Sequence, residues 1–185
     1  QETITLDDAE TTTNLEYIRH TKKDFKVGLV VPMSNLRTIV KNTLKHIDGF
    51  PKDVVLSPND VAKPKEKFDL LIVDETHRLR RRKNLTQYQS FDEDNRRLGF
   101  DNDGTELDWI LKQSKNQVFL YDSTQSIKPT DIPKERIEDL KRTRNCQELD
   151  LLTQIRCKRG GEAYIEYIRS IFSNFNLPRK AQDFS

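Results

Sequence analysis

Apolar residues in this chain fall in short blocks, and the spacing within the blocks alternates between that of strands and that of helices. From Val27 to Val31 the run is continuously apolar, as a strand buried on both faces requires, and Pro32 ends it. Leu36, Ile39, Val40, Leu44 and Ile47 then recur at three and four residues, which predicts an amphipathic helix capped by Ser34 and stopped at Gly49. A weaker strand is expected at Val54 to Leu56, a turn over Ala62 to Lys67, and a strong strand from Phe68 to Val73. After Leu79 about 25 residues show little apolar periodicity. Thr105 and Asp108 then form a capping-box pair for a helix carrying Leu107, Ile110 and Leu111. A further strand is predicted over Val118 to Tyr121, and a short helix beginning near Asp131 with Ile132 and Pro133 and running through Leu140. Leu149 to Ile155 reads as another strand. Glu162 to Phe175 reads as a helix with Tyr164, Tyr167, Ile168, Ile171, Phe172 and Phe175 on its apolar face.

Strands alternating with helices imply an α/β fold, a three-layer parallel sheet with flanking helices. In such a sheet ligands bind beyond the carboxyl ends of the strands, which makes the polar residues just after each apolar run the ones to inspect. Asp74 and Glu75 follow the strongest strand and continue as Asp-Glu-Thr-His to His77. That is the form of a Walker-B strand: the first carboxylate holds hydrated Mg²⁺ and the second orients or deprotonates the attacking water. The bland alternative is an acidic pair that ends a strand and caps the next element. Asp122 and Gln125 follow the next strand, and a neutral amide there can sense the γ-phosphate of ATP; otherwise they are a turn-forming Asp and a surface Gln. Arg156, in Gln154-Ile155-Arg156-Cys157, is placed either as an arginine finger or in a surface ion pair.

Composition narrows the class of protein. The 185 residues suit one main domain with fragments of a neighbour. Apolar and charged residues each make up 34%, so a modest core carries long solvated loops. The formal net charge of only +2 gives no global case for a nucleic-acid partner, and any such surface must come from local clustering. The densest cluster is Arg78, Arg80, Arg81, Arg82 and Lys83, a natural partner for phosphate backbones unless Asp92, Glu93 and Asp94 answer it. His77 is either a link between the nucleotide site and this loop or a hydrogen-bonded structural histidine. Cys146 and Cys157 are too isolated for a zinc site, so reduced thiols in a cytoplasmic protein are expected. No apolar run approaches the ~18 residues of a membrane span.

The three sites occur in an order that resembles the ATPase core of superfamily 1 helicases. More specifically, the runs from Val27 (Val-Gly-Leu-Val-Val-Pro-Met-Ser), Phe68 (Phe-Asp-Leu-Leu-Ile-Val-Asp-Glu-Thr-His-Arg-Leu), Phe119 (Phe-Leu-Tyr-Asp-Ser-Thr-Gln-Ser-Ile-Lys-Pro) and Leu152 (Leu-Thr-Gln-Ile-Arg-Cys) resemble the Schlafen group 3-like DNA/RNA helicase domain family over roughly Lys26 to Phe175. The resemblance implies a partial RecA-like P-loop NTPase core with ATP and Mg²⁺ as ligands. In it Asp74 is the metal residue, Glu75 the catalytic base, Gln125 the phosphate sensor and Arg156 the finger. It implies that Pro32, Ser34 and Arg37 touch single-stranded DNA or RNA, and Arg80, Arg81 and Arg82 are candidates to join them. It also implies a division into a polar leader (1–25), the core (26–147) and, from 148 to 185, the finger motif with the start of a second motor domain.

One part of the pattern is missing. None of the six glycines lies in Gly-x-x-x-x-Gly-Lys-Ser/Thr, the loop whose backbone N–H groups and Lys hold phosphates. In the family that loop lies upstream of the segment matching Val27. These residues are therefore expected to begin downstream of it, to rely on the rest of their own polypeptide, and alone to bind ATP weakly and hydrolyse it negligibly. The competing readings are a non-catalytic interaction module on a decayed NTPase core and a two-metal nuclease site built from Asp74, Glu75 and Asp122.

Overall fold

The computed structural model describes residues 25–47, 51, 53–63, 65–122, 125, 128–143, 146–149 and 170. The chain divides into two compact units, Gln1–Thr143 and Arg144–Ser185, and every element named below belongs to the first. Of the elements expected beyond it, Leu149 lies in no regular structure and Ser170 is helical; the remainder, with Arg156, lies outside the described residues.

In chain order the elements are β1 (Val27–Val30), α1 (Ser34–Leu44), β2 (Val55–Leu56), α2 (Pro58–Val61), β3 (Phe68–Val73), a 3₁₀ turn (Thr76–Arg78), α3 (Tyr88–Arg97), α4 (Glu106–Gln113), β4 (Ser114–Phe119) and α5 (Lys134–Thr143). The four strands form one sheet in the order β2-β1-β3-β4, and every pairing is parallel. Val30 lies opposite Val73, and Val73 opposite Phe119, so the carboxyl ends of the three longer strands share one edge.

Alternation along the strands divides the core between two faces. On one face Val30, Leu71 and Val73 pack with Leu107 and Ile110 of α4, Ile132, and Ile137 of α5. On the other, Val31, Val54 and Val55 pack with Leu29 and with Leu36, Val40 and Leu44 of α1. A third cluster joins α3 to α4 through Phe91, Leu98 and Trp109, with the Phe91 and Trp109 rings 4.6 Å apart. Gly28 sits where the sheet is tightest: a Cβ there would come within 2.7 Å of both Leu56 Cδ1 and Leu71 Cδ2. No described helix is long and apolar enough to cross a membrane.

The structure corrects several expectations. Ser34 opens α1 as its first residue while Met33 occupies the cap position without a side-chain bond; the junction is tied instead by Arg37, whose Nη1 donates to Val31 O (2.8 Å) and Pro32 O (3.3 Å). α1 ends at Leu44, before Gly49. β4 runs from Ser114 to Phe119, starting earlier than expected because it is an edge strand whose first half is polar. There Lys115 Nζ pairs with Asp69 Oδ1 at 2.8 Å and Asn116 Nδ2 donates to Asp69 O at 3.0 Å. The span expected to lack structure contains α3, and α2 forms under a Ser57–Asp60 capping box. α5 starts after Pro133, leaving Asp131 to pair with Arg80 in an isolated antiparallel bridge. The Thr105–Asp108 capping box forms as expected.

Candidate active site

The last turn of the β3 ladder fixes two carboxylates at the shared strand edge. Asp74 N donates to Val30 O at 2.9 Å, which extends the pairing with β1 one residue past the strand. On the other side Leu120 N donates to Val73 O and Thr76 N to Leu120 O, both at 2.9 Å. Asp74 and Glu75 are thereby held between β1 and β4. Asp74 Oδ1 accepts from Glu75 N at 3.0 Å, and the other carboxylate oxygen has no hydrogen-bond partner among the described residues. Glu75 itself sits in the left-handed region at φ 49°, ψ 46°. For a side chain with a Cβ that conformation costs about 1–3 kcal/mol and persists only where its surroundings impose it. Here the continued pairing on both flanks does so.

Past β4, Gln125 Nε2 donates to Asp122 Oδ2 at 2.7 Å and Gln125 N to Asp122 O at 3.3 Å, a compact turn. Since Leu120 already pairs beside Asp74, this turn emerges at the same edge as the two acids. The structure therefore brings Asp74, Glu75, Asp122 and Gln125 to one end of neighbouring strands. Among the described residues no three His, Cys, Asp or Glu side chains cluster as a metal cage, so the nuclease arrangement of Asp74, Glu75 and Asp122 is not formed there. One half-buried carboxylate with a free oxygen suits a cation such as Mg²⁺, which takes one or two carboxylates and completes its shell with waters and phosphates.

His77 lies behind Glu75 and is 1% exposed. Its Nε2 is 3.0 Å from Glu75 Oε2 without forming a hydrogen bond to it, and Nδ1 has no hydrogen bond either. Tyr121 meets the imidazole edge-on, with centroids 6.4 Å apart, and its own hydroxyl is buried without a partner. Each such unpaired polar group costs about 1–3 kcal/mol. Burial pushes the Tyr121 phenol above its ordinary value, and nearby acids, Glu138 first, add to the rise.

The sequence model of the Schlafen group 3 DNA/RNA helicase domain matches residues 12–183. The chain belongs to this family. Comparison with curated proteins and with solved structures gave no match.

In this Schlafen group 3 helicase domain a cleft of about 390 Å³ opens at the foot of α1, beside the acidic edge. Pro32, Ser34, Arg37, Arg78 and Arg80, singled out from the sequence, all line it, together with Lys128, which was not. Arg80 and Asp131 bridge their segments beside the cleft, and that non-local contact brings Lys128 into the cleft that Arg78 also lines. Arg81 and Arg82 correct the expectation of a single basic patch, because neither lines the cleft. Arg81 Nε donates to Pro129 O at 3.1 Å. Arg82 forms a two-pronged pair with Asp92 at 2.6 and 3.0 Å and stacks 4.9 Å from the Tyr88 ring. That pair raises the Arg82 guanidinium and lowers the Asp92 carboxyl from their ordinary values.

Two cations of the cleft itself, Arg80 and Arg78, face carboxylates. Arg80 reaches the fully buried Glu106 with Nε at 2.8 Å and Nη2 at 2.6 Å, and its backbone N donates to the second oxygen at 2.7 Å. Burial raises the Glu106 carboxyl even so, against the pull of Arg80. Arg78 Nη1 lies 3.5 Å from Asp131 Oδ2. Lys128 is exposed, and its ammonium has no carboxylate partner among the described residues.

Proposed function

We propose that this helicase domain supplies the metal-binding and water-activating half of an ATP-driven motor acting on single-stranded DNA or RNA. The observation that carries this reading is the gathering of Asp74, Glu75 and Gln125 at the carboxyl edge of β3 and β4, next to a cleft containing Arg37 and Lys128. It also supports a partial RecA-like core, in which a nucleotide sits at that edge.

In this reading Asp74 would hold Mg²⁺ through its free oxygen, and the cation would supply charge neutralisation to the phosphates of ATP. Glu75 takes the proton of the attacking water as the new O–P bond forms, and the bond from the γ-phosphorus to the bridging oxygen breaks to leave ADP and phosphate. Gln125 donates its amide N–H to the γ-phosphate and exchanges its present partner, Asp122, for it. Arg156 is the proposed source of the positive charge opposite. Such a motor requires a phosphate-binding loop, and these 185 residues contain none. The cytoplasm, where ATP is plentiful, is the proposed location.

ATP hydrolysis by the complete protein, measured with and without single-stranded nucleic acid, tests the proposal. Asp74→Asn is expected to abolish both the basal and the stimulated rate while single-strand binding without nucleotide persists. Hydrolysis at the wild-type rate in that variant would refute it. The missing loop favours one other reading, a binding module without turnover; strand binding unaffected by ATP and no hydrolysis by the wild-type complete protein would establish it.

A further inference from the structure

We infer that His77 is a positioning residue for Glu75: its Nε2–H steers the Glu75 carboxylate toward the attacking water. The inference rests on the reading of Glu75 as the base, and it goes beyond the Walker-B pair itself.

Three observations combine. The imidazole is closed off from solvent, so no bulk water can satisfy it. Both of its nitrogens lack hydrogen bonds, although a carboxylate oxygen stands 3.0 Å from Nε2. Glu75 is held at a positive φ, which fixes the direction of its Cα–Cβ bond, and its carboxylate already lies within reach of the ring. A rotation of the Glu75 side chain that carries Oε2 onto the N–H axis would complete the bond. The bond then fixes one oxygen and frees the other to face the nucleotide edge, the same logic by which a third group orients a catalytic base elsewhere. Tyr121, packed edge-on against the ring, keeps the imidazole from swinging toward β4.

A histidine filling space and a histidine orienting a base respond differently to substitution. His77→Gln places an amide N–H near the position of Nε2, His77→Asn places one near Nδ1, and His77→Leu fills the volume without a donor. In the complete protein, single-turnover ATP hydrolysis and the Kd for Mg²⁺-ATP are measured for each, with Glu75→Gln alongside. His77→Gln is expected to stay within about threefold of the wild-type rate, while His77→Asn and His77→Leu fall at least tenfold at unchanged Kd. If Leu impairs folding, the Gln and Asn pair carries the test, both being polar and close in size. A wild-type rate in His77→Leu, or equal rates in His77→Asn and His77→Gln, overturns the inference. Should Glu75→Gln itself hydrolyse ATP normally, the underlying assignment of the base fails instead.

Discussion

Glu106 shows how strongly position governs a single side chain in this molecule. It is wholly buried, it accepts three bonds from Arg80, and burial still raises its carboxyl above the ordinary 4.5. A carboxyl raised on folding binds its proton more tightly in the folded state. Its contribution to stability is therefore full below the unfolded value and is lost as pH rises through the folded one. Compared with Glu106→Gln, the wild-type protein should lose relative stability as pH rises above 4.5, read as diverging urea midpoints; parallel curves would contradict this. Asp60 runs the other way. Burial opposes its ionisation, but bonds from Ser57 and the Lys63 ammonium bring it down to about 2, so its contribution is present at neutral pH and fades as pH falls from 3.8 toward that value. Lys128, exposed and without a carboxylate partner, is the cleft cation freest to meet a phosphate. Lys128→Ala should weaken single-strand binding regardless of sequence and reduce the slope of log K against log salt by roughly 0.7 to 1. An unchanged slope would remove Lys128 from the interface.

At the scale of elements, α3 explains both how the domain is tied together and why its pattern escaped the sequence. Its inward residues Phe91, Asp94 and Asn95, with Leu98 capping its end, have the spacing of a buried helical face, yet two of the four are polar, so apolar periodicity alone could not reveal it. Asn95 is buried because it has specific partners: Trp109 Nε1 donates to its Oδ1 at 2.6 Å, and its Nδ2 donates to Gly104 O at 3.2 Å. Asn95→Ala would strand the buried indole N–H and should cost about 1–3 kcal/mol in urea unfolding. A loss near zero would mean that α3 is held by Phe91 and Leu98 alone. The central strands β1 and β3 were legible because both faces are buried and nearly every residue is apolar. The start of β4 was not legible, since an edge strand tolerates the Ser-Lys-Asn-Gln run from Ser114 to Gln117. The acids of the candidate site were found from strand order and motif. Lys128 was passed over because only the bridge between Arg80 and Asp131 brings its segment to the cleft that Arg78 lines.

In the whole molecule, a parallel sheet and its βα connections place two kinds of chemistry side by side. The acidic edge after β3 faces the position proposed for a triphosphate, and the cleft beginning at Pro32 is the position proposed for a strand of nucleic acid. The 3₁₀ turn Thr76–Arg78 joins them, with His77 against Glu75 and Arg78 against Asp131 in the cleft. Membership of the Schlafen group 3 helicase domain family accords with this layout. The most direct measurement is single-turnover ATP hydrolysis by Glu75→Gln in the complete protein, with nucleotide affinity determined on the same sample. Loss of a general base should slow hydrolysis by about 10²- to 10⁴-fold while Mg²⁺-ATP binds as tightly as before. Hydrolysis at the wild-type rate would contradict the account.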